Sequence, residues 1–232
     1  MKKQVFPLRE KLKAVGIHFI ISLFIFILLV FWMYFSLYPS FYFNMSGGWQ
    51  GLMLMLGVDV VLGPLLTFLV FNPHKKLREI ISDLVIVGFV QLGALGYGVY
   101  TVYQEHPTLA VLYDNGLATV LPYREVAEYK QLQEIDLAHV SALEKVPLIA
   151  YQIVDNKKQF NSINNVTQDL TTIDKLTRQS IRDADDLSAL KHLEQQHGQV
   201  WVFAMMGKYT GAYIVVDKDL NYLGKIGEKP VS

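Results

Sequence analysis

The chain has 232 residues, 52% of them hydrophobic, with 21 Lys plus Arg against 21 Asp plus Glu and no Cys. Zero net charge removes any composition-level argument for nucleic-acid binding, which needs a basic footprint to displace counterions from phosphates. The missing cysteines exclude disulfides, thiolate zinc sites and thiol catalysis.

Charge is spread unevenly, and three segments carry almost none. Residues 17–37 contain no charged side chain, residues 51–71 contain only Asp59, and residues 80–100 contain only Asp83. About 20 apolar residues at 1.5 Å each cross a hydrocarbon layer roughly 30 Å thick, so each segment is predicted to span a membrane. Buried helices of a soluble protein are the competing reading, but three such runs leave too little polar surface between them. Lys2, Lys3, Arg9, Lys11 and Lys13 precede the first run like the basic region of a signal peptide. Its apolar core is too long for one, and Leu37-Tyr38-Pro39-Ser40 lacks a small-x-small cleavage pattern, so the run is expected to be an uncleaved anchor. Gly16 before an apolar helix also raises the prepilin pattern, which needs a Glu where this chain has Ile21.

Loop charge predicts the orientation. The N-terminal segment is basic, the connection 38–50 is uncharged, and the connection 72–79 carries Lys75, Lys76 and Arg78. Positive loops stay in the cytoplasm, which sends everything after Tyr103 outside. Trp32, Tyr34, Tyr38, Tyr42, Trp49, Tyr97, Tyr100 and Tyr103 then fall near the outer interface, where amphipathic rings prefer to sit.

Asp59 is expected well inside the second span, where an ionised carboxylate costs roughly 2.5–3.5 kcal/mol on insertion scales and is a functional candidate by default. Gly63 and Thr67 follow it at intervals of four, one small and polar stripe facing other helices. An antiparallel third span puts Gln91 at nearly the same depth, so an Asp59–Gln91 hydrogen bond is predicted. Thr67, His18, Ser22 and Asp83 fall together nearer the cytoplasmic end as a second polar cluster. Asp59 reads as an interhelical tie; a proton or ion relay would need further ionisable groups along a path. Pro64 is expected to kink the second helix, because it removes one backbone donor. Gly93 and Gly96, with Gly88 and Gly98, open the third span to a close helix neighbour, from this chain or another.

Beyond Gln104 the composition is that of a small globular domain. Residues 109–113 and 117–121 flank Asp114-Asn115-Gly116, a hairpin signal. A helix is expected from Arg124 to just before Pro147, a strand over 148–154, helices over 172–182 and 186–196, and a terminal meander of strands at 200–206, 211–216 and 220–226. The expected fold class is α+β: three transmembrane helices followed by a small extracytoplasmic α+β domain with antiparallel strands.

Chemical motifs are sparse. Asp183-Ala184-Asp185-Asp186 contains the Asp-x-Asp of metal-nucleotide sites, yet it stands before a helix, where Asp caps. Asp217-Lys218-Asp219-Leu220-Asn221 with Glu228 partly matches a calcium loop, but Tyr222 occupies the position that needs Gly. His192 and His197 are wrongly spaced for a zinc helix, and no nucleophile elbow or phosphate loop occurs. Catalytic, cofactor-binding and metal sites are therefore expected to be absent, and the chain is expected not to be an enzyme.

Residues 12–113 resemble the TfpX/TfpZ family of type IV pilin accessory proteins. The resemblance rests on Leu12-Lys13-Ala14-Val15-Gly16-Ile17-His18-Phe19, Gly47-Gly48-Trp49 and Gly57-Val58-Asp59-Val60-Val61-Leu62-Gly63-Pro64-Leu65-Leu66-Thr67. Phe71-Asn72-Pro73, Lys75-Lys76, Gln91-Leu92, Tyr97-Gly98 and Thr101-Val102-Tyr103-Gln104 continue it. The family usually has Arg-Pro after the third span, where this chain has His106-Pro107. The resemblance implies a bacterial inner-membrane protein that helps pilin reach the fibre as an accessory factor or chaperone. Together with the apolar runs and loop charges, this gives an expected organisation of a basic cytoplasmic N-terminus at 1–16, a three-helix membrane domain at 17–103 and a periplasmic domain at 104–232. Implied partners are the lipid bilayer, the pilin's membrane helix and periplasmic head, and the pilus assembly machinery. The competing reading is a membrane-anchored periplasmic sensor or ligand-binding module, against which stands the lack of a cytoplasmic output domain.

Overall fold

A computed structural model describes residues 8–113, 115–135, 140–154, 157–162 and 170–231. Lys2, Lys3, Asp114 of the hairpin turn and part of the helix expected after Arg124 lie outside the described residues. The chain divides into two compact units. The first comprises the chain up to Phe35 with Trp49–Tyr103, and the second comprises Ser36–Gly48 with Gln104–Ser232.

The first unit is helical. Helix α1, Leu8–Trp32, continues through a π-helical turn, Met33–Leu37. The short α2, Tyr42–Met45, belongs to the second unit. The middle long helix is composite: α3, Gly48–Met55, runs through a π-helical stretch, Leu56–Leu62, into α4, Gly63–Val70. It ends where Phe71 turns extended ahead of Asn72-Pro73, because the residues before a proline are driven out of the helical region. Helix α5, Leu77–Glu105, follows. Leu8–Leu37, Gly48–Val70 and Leu77–Glu105 are all long and apolar enough to cross a membrane. The middle helix is the most covered by its neighbours, while α1 and α5 present Ile17, Ile20, Phe24, Phe31, Phe89 and Leu92 outward. A helix that is apolar all round needs an apolar surrounding on its uncovered faces.

The second unit is built on one sheet. Its strands are β1, Pro107–Tyr113; β2, Leu117–Pro122; β3, Ala142–Leu143; β4, Val146–Val154; β5, Lys157–Ser162; β6, Trp201–Met206; β7, Thr210–Val216; and β8, Tyr222–Pro230. They lie in the order β3-β4-β1-β2-β6-β7-β8, with β5 also on β4. The hairpin β1–β2 turns through Gly116 at φ +82°, a conformation glycine adopts without a Cβ penalty. The meander β6–β7–β8 is antiparallel, as are β3 and β5 on β4. The expectation of antiparallel strands is corrected at two places: β1 pairs with β4 and β2 with β6 in parallel. Long connections carry the chain back before β4 and β6, and such returns produce parallel neighbours where tight hairpins cannot.

Between β2 and β3 the chain forms α6, Tyr123–Glu128, and α7, Lys130–Gln133, instead of one helix reaching toward Pro147. Tyr129 is extended between them, and the break lets Val126 and Leu132 both pack on Leu109, Val111 and Ile149. Helices α8, Leu170–Ser180, and α9, Ala184–His197, precede the meander. Leu190 and Leu193 of α9 cover Val202, Val215 and Ile226.

The opposite face of the sheet holds the largest cluster, including Ala110, Leu112, Leu148, Phe203, Met205 and Ile214. Phe41, Tyr42 and Met45 pack into it. The connection between the first two long helices is therefore core of the sheet unit, and Tyr38 and Tyr42 are buried there rather than lying at a membrane surface. The β6–β7 turn clamps it: Tyr209 N–H donates to the Met45 carbonyl at 3.0 Å, and Gly47, at φ +97°, sits beneath the Tyr209 ring. A Cβ on Gly207 would stand 2.3 Å from Met45 Cγ, so close approach, not backbone freedom, requires glycine there. Burial, then the charges of Glu105 and Tyr209, push the Tyr38 phenol well up; burial and then Glu144 do the same to Tyr42, so both rings are neutral packing groups.

A second device ties α8 to the sheet. β2 pairs with β6 only from Leu117 opposite Ala204 to Thr119 opposite Met206, so nearer its start β6 has no β2 partner. Asp174 Oδ1 accepts the Val202 N–H at 2.8 Å and Arg178 Nη2 donates to the Val200 carbonyl at 3.2 Å, replacing the missing strand with side chains. Arg178 also meets Asp174 at 2.7 Å and Glu194 at 2.6 Å. Burial opposes its charge, but the hydrogen bonds and charges of the two acids outweigh that and hold the guanidinium above its ordinary pKa.

Candidate functional site

The polar residues of the helical unit cluster around the π-helical stretch. In an i→i+5 pattern the carbonyl of Asp59 would meet the nitrogen of Pro64, which carries no hydrogen. Gln91 of α5 supplies the missing donor: its Nε2 lies 3.3 Å from the Asp59 carbonyl and 3.1 Å from Asp59 Oδ1. Asp59 and Gln91 are both buried. One amide thus satisfies the backbone defect made by Pro64 and half of the carboxyl group. Asp59 Oδ2 is buried and has no hydrogen-bond partner among the described residues.

Gly63 makes this possible through space, not conformation, since its φ is an ordinary −61°. A Cβ on Gly63 would sit 1.9 Å from Gln91 Nε2, inside the amide itself. Asp59, Gly63, Pro64 and Gln91 therefore form one unit, in which a proline creates the unpaired carbonyl, a glycine makes room, and a glutamine fills it.

Of the second cluster, His18 and Thr67 are brought together, with His18 Nδ1 2.6 Å from Thr67 Oγ1. Thr67 and Ser22 are buried. Asp83 is not part of it: it pairs with Lys75 at 2.5 Å. The reason is position, because α5 starts at Leu77 and Asp83 stands within two turns of the loop that carries the lysine. Sequence reasoning missed Lys11, whose Nζ donates to the Phe68 carbonyl at 3.0 Å and lies 5.2 Å from the Phe68 ring centroid. Its signal was a lysine one turn inside the start of an apolar helix, where a long stem reaches along apolar surface.

The glycines of α5 divide. A Cβ on Gly98 would stand 3.3 Å from Met55 Cγ, whereas a Cβ on Gly93 or Gly96 would meet nothing within 4 Å. Within the helical unit their side of α5 is uncovered.

In the sheet unit the acidic motifs are structural. Asp183 caps α9 by accepting the Asp185 N–H at 2.9 Å. Asp217 accepts the N–H groups of Asp219 and Asn221 and the Asn221 side-chain amide, and the hydrogen bonds from Asn221 hold its carboxyl below the usual range. The would-be calcium loop is thus a closed turn. No group of three or more His, Cys, Asp or Glu side chains suited to a metal occurs among the described residues.

No family model matches the chain, and no solved structure matches it. It is 40% identical over 111 residues to a protein of Dichelobacter nodosus named fimbrial assembly protein, serogroups C1 and C2, a stretch covering 48% of this chain and 83% of that protein. It is 40% identical over 111 residues to the serogroup I protein of the same organism and 39% identical to the serogroup E1 protein. The chain spans 42% of the length of each of those two. With most of the shorter relative matched at this identity, the chain belongs to the fimbrial assembly protein family.

Proposed function

We propose that this protein assists type IV pilus assembly as a non-enzymatic, chaperone-like accessory factor of the bacterial inner membrane. Its N-terminus lies in the cytoplasm and residues 104–232 lie in the periplasm. The observation that carries the reading is the 111-residue match to proteins named for fimbrial assembly, in a chain with three membrane-length helices. Pilin is the proposed client. A subunit with one long apolar helix and a soluble head has two parts that need shelter before assembly, and this chain has one unit suited to each. The helix contact runs along α5 at Gly93 and Gly96, whose Cβ positions are open. Gly63, which the sequence suggested as a third contact glycine, is filled by Gln91 and faces inward.

Purification of the full chain in mild detergent is expected to enrich the cognate pilin, and deletion of the gene is expected to lower pilin level or piliation. Absence of both effects sinks the chaperone reading. Orientation is read separately. Reporters fused after Phe71 and after Ser232 are expected on opposite sides of the membrane, because the connection 72–79 carries Lys75, Lys76 and Arg78 while the connection 38–50 carries no charge, which holds the former in the cytoplasm. Reporters on one side would overturn the three-span arrangement.

A further inference from the structure

β2 continues to Pro122 and β6 ends at Met206, yet they pair only over Leu117–Thr119 and Ala204–Met206. Where they part, a cleft of about 430 Å³ opens in the sheet unit, within the range of about 300–1,000 Å³ typical of small-molecule sites. Val120, Leu121, Pro122 and Met206 give it apolar walls. Ser46 also lines it; this residue is buried, and its Oγ has no hydrogen-bond partner among the described residues.

The rim carries two charges of each sign. Glu105 joins two cations, Arg124 Nε at 2.9 Å and Lys208 Nζ at 2.9 Å, and Glu125 lies 3.9 Å from Arg124 Nη2. Arg124 and Lys208 are half exposed, so both remain open to an anion. The location along the chain adds a constraint: Ser46 stands two residues before the helix that begins at Gly48, and Glu105 is the last residue of α5. The cleft is covalently tied, within a few residues, to the ends of two membrane-length helices.

From these features we infer that the cleft binds the headgroup of a zwitterionic phospholipid with a primary amine, phosphatidylethanolamine. The inference rests on the membrane placement proposed above. A phosphodiester meets the preassembled pair Arg124 and Lys208, the guanidinium offering a planar fork and the ammonium a point charge. The lipid ammonium, with three N–H donors, meets Glu125 and Glu105. The buried Ser46 hydroxyl gains a partner in an ester or phosphate oxygen, and the first acyl carbons lie on Val120, Leu121 and Met206. Because the four rim charges cancel, the site complements a zwitterion and not a net anion. A quaternary choline headgroup fits it less well, since it has no N–H to donate to the carboxylates.

The test titrates the delipidated full chain in mild detergent with short-chain phosphatidylethanolamine, phosphatidylcholine and phosphatidylglycerol, counting bound lipid by native mass spectrometry. One phosphatidylethanolamine is expected to bind saturably, at least about fivefold more tightly than either of the others. The pair Arg124→Gln and Lys208→Gln, at half-exposed positions, is expected to weaken it by about tenfold or more in protein whose thermal stability in detergent is retained. Glu125→Gln is expected to reduce the preference over phosphatidylcholine while leaving phosphate-dependent binding in place. Equal binding of the three lipids, tighter phosphatidylglycerol, or indifference to the loss of the two cations overturns the site. Pilin is assayed in the same preparations. Lipid selectivity with neither pilin in the preparation nor an effect of gene deletion on piliation would sink the proposed function and leave this site standing, and pilin without lipid selectivity would do the reverse.

Discussion

Gly63→Ala is expected to destabilise the helical unit by about 2 kcal/mol, although it adds a single methyl group to a helix with ordinary dihedral angles. The methyl would occupy the place of Gln91 Nε2, 1.9 Å away, and a flexible side-chain end yields more readily than backbone. Gln91 therefore swings off, leaving the Asp59 carbonyl and Oδ1 without the donor they now share. Pro64 cannot replace it, so two buried acceptors go unmet in an apolar surrounding. A double-mutant cycle isolates this cause. In a Gln91→Ala background the same glycine substitution is expected to cost under about 0.5 kcal/mol, because the amide it displaces is gone. Thermal stability in mild detergent reads all four proteins, and equal costs in the two backgrounds would reject the coupling.

The same measurement decides what Asp59 contributes. Asp59→Asn keeps a side-chain oxygen for Gln91, while Asp59→Leu removes it. Stability and pilus formation retained in Asn and lost in Leu are expected of a packing tie. Loss of piliation in both, with stability retained in Asn, would point to a charge or proton the packing does not need.

The other large effect is expected in the sheet unit, at a residue no motif marks. Asp174→Ala removes the acceptor of the Val202 N–H and one of the two acids around Arg178. Val202 is almost fully buried, so water does not replace the bond, and a partly buried guanidinium is left with Glu194 as its one acid and the Val200 carbonyl as its other acceptor. Together these put the cost at about 2–4 kcal/mol. Asp174→Asn retains an oxygen for Val202 and loses the charge, and about 1 kcal/mol is expected. Denaturant unfolding of the full chain in detergent, followed by the fluorescence of Trp201 on β6, measures both. Equal losses for Ala and Asn would show that the ion pair, not the strand-completing hydrogen bond, dominates.

Legibility differed between the two units. Membrane-length apolar runs were visible because their signal is composition summed over some 20 residues, which tolerates errors at the ends. The Asp59–Gln91 contact was visible as well, since two polar side chains in antiparallel apolar helices have few other groups to meet. The π-helical stretch was not, although Pro64 was a plain cue to irregularity; a proline signals a missing bond without saying how the chain rearranges. In the sheet unit the hairpin and the final meander followed from local turn chemistry. The parallel pairs β1–β4 and β2–β6 did not, because they join strands separated by long connections and no local pattern encodes them.

The clearest divide falls at residues 38–46. Their lack of charge and wealth of aromatic residues suit a membrane surface and a protein core equally well, because both reward apolar rings with a polar tip. Sequence by itself determined that this connection avoids charge, that three helices are long and apolar enough to cross a membrane, and that a small α+β domain follows them. Only the tertiary structure decided that Phe41, Tyr42 and Met45 belong to that domain's core. It also decided that Gly63 makes room for an amide, and that the diverging ends of β2 and β6 beside Ser46 enclose a cleft rimmed by Glu105, Arg124, Glu125 and Lys208. Burial and close approach depend on which distant segments meet, and hydropathy and spacing along one chain carry no information about that meeting.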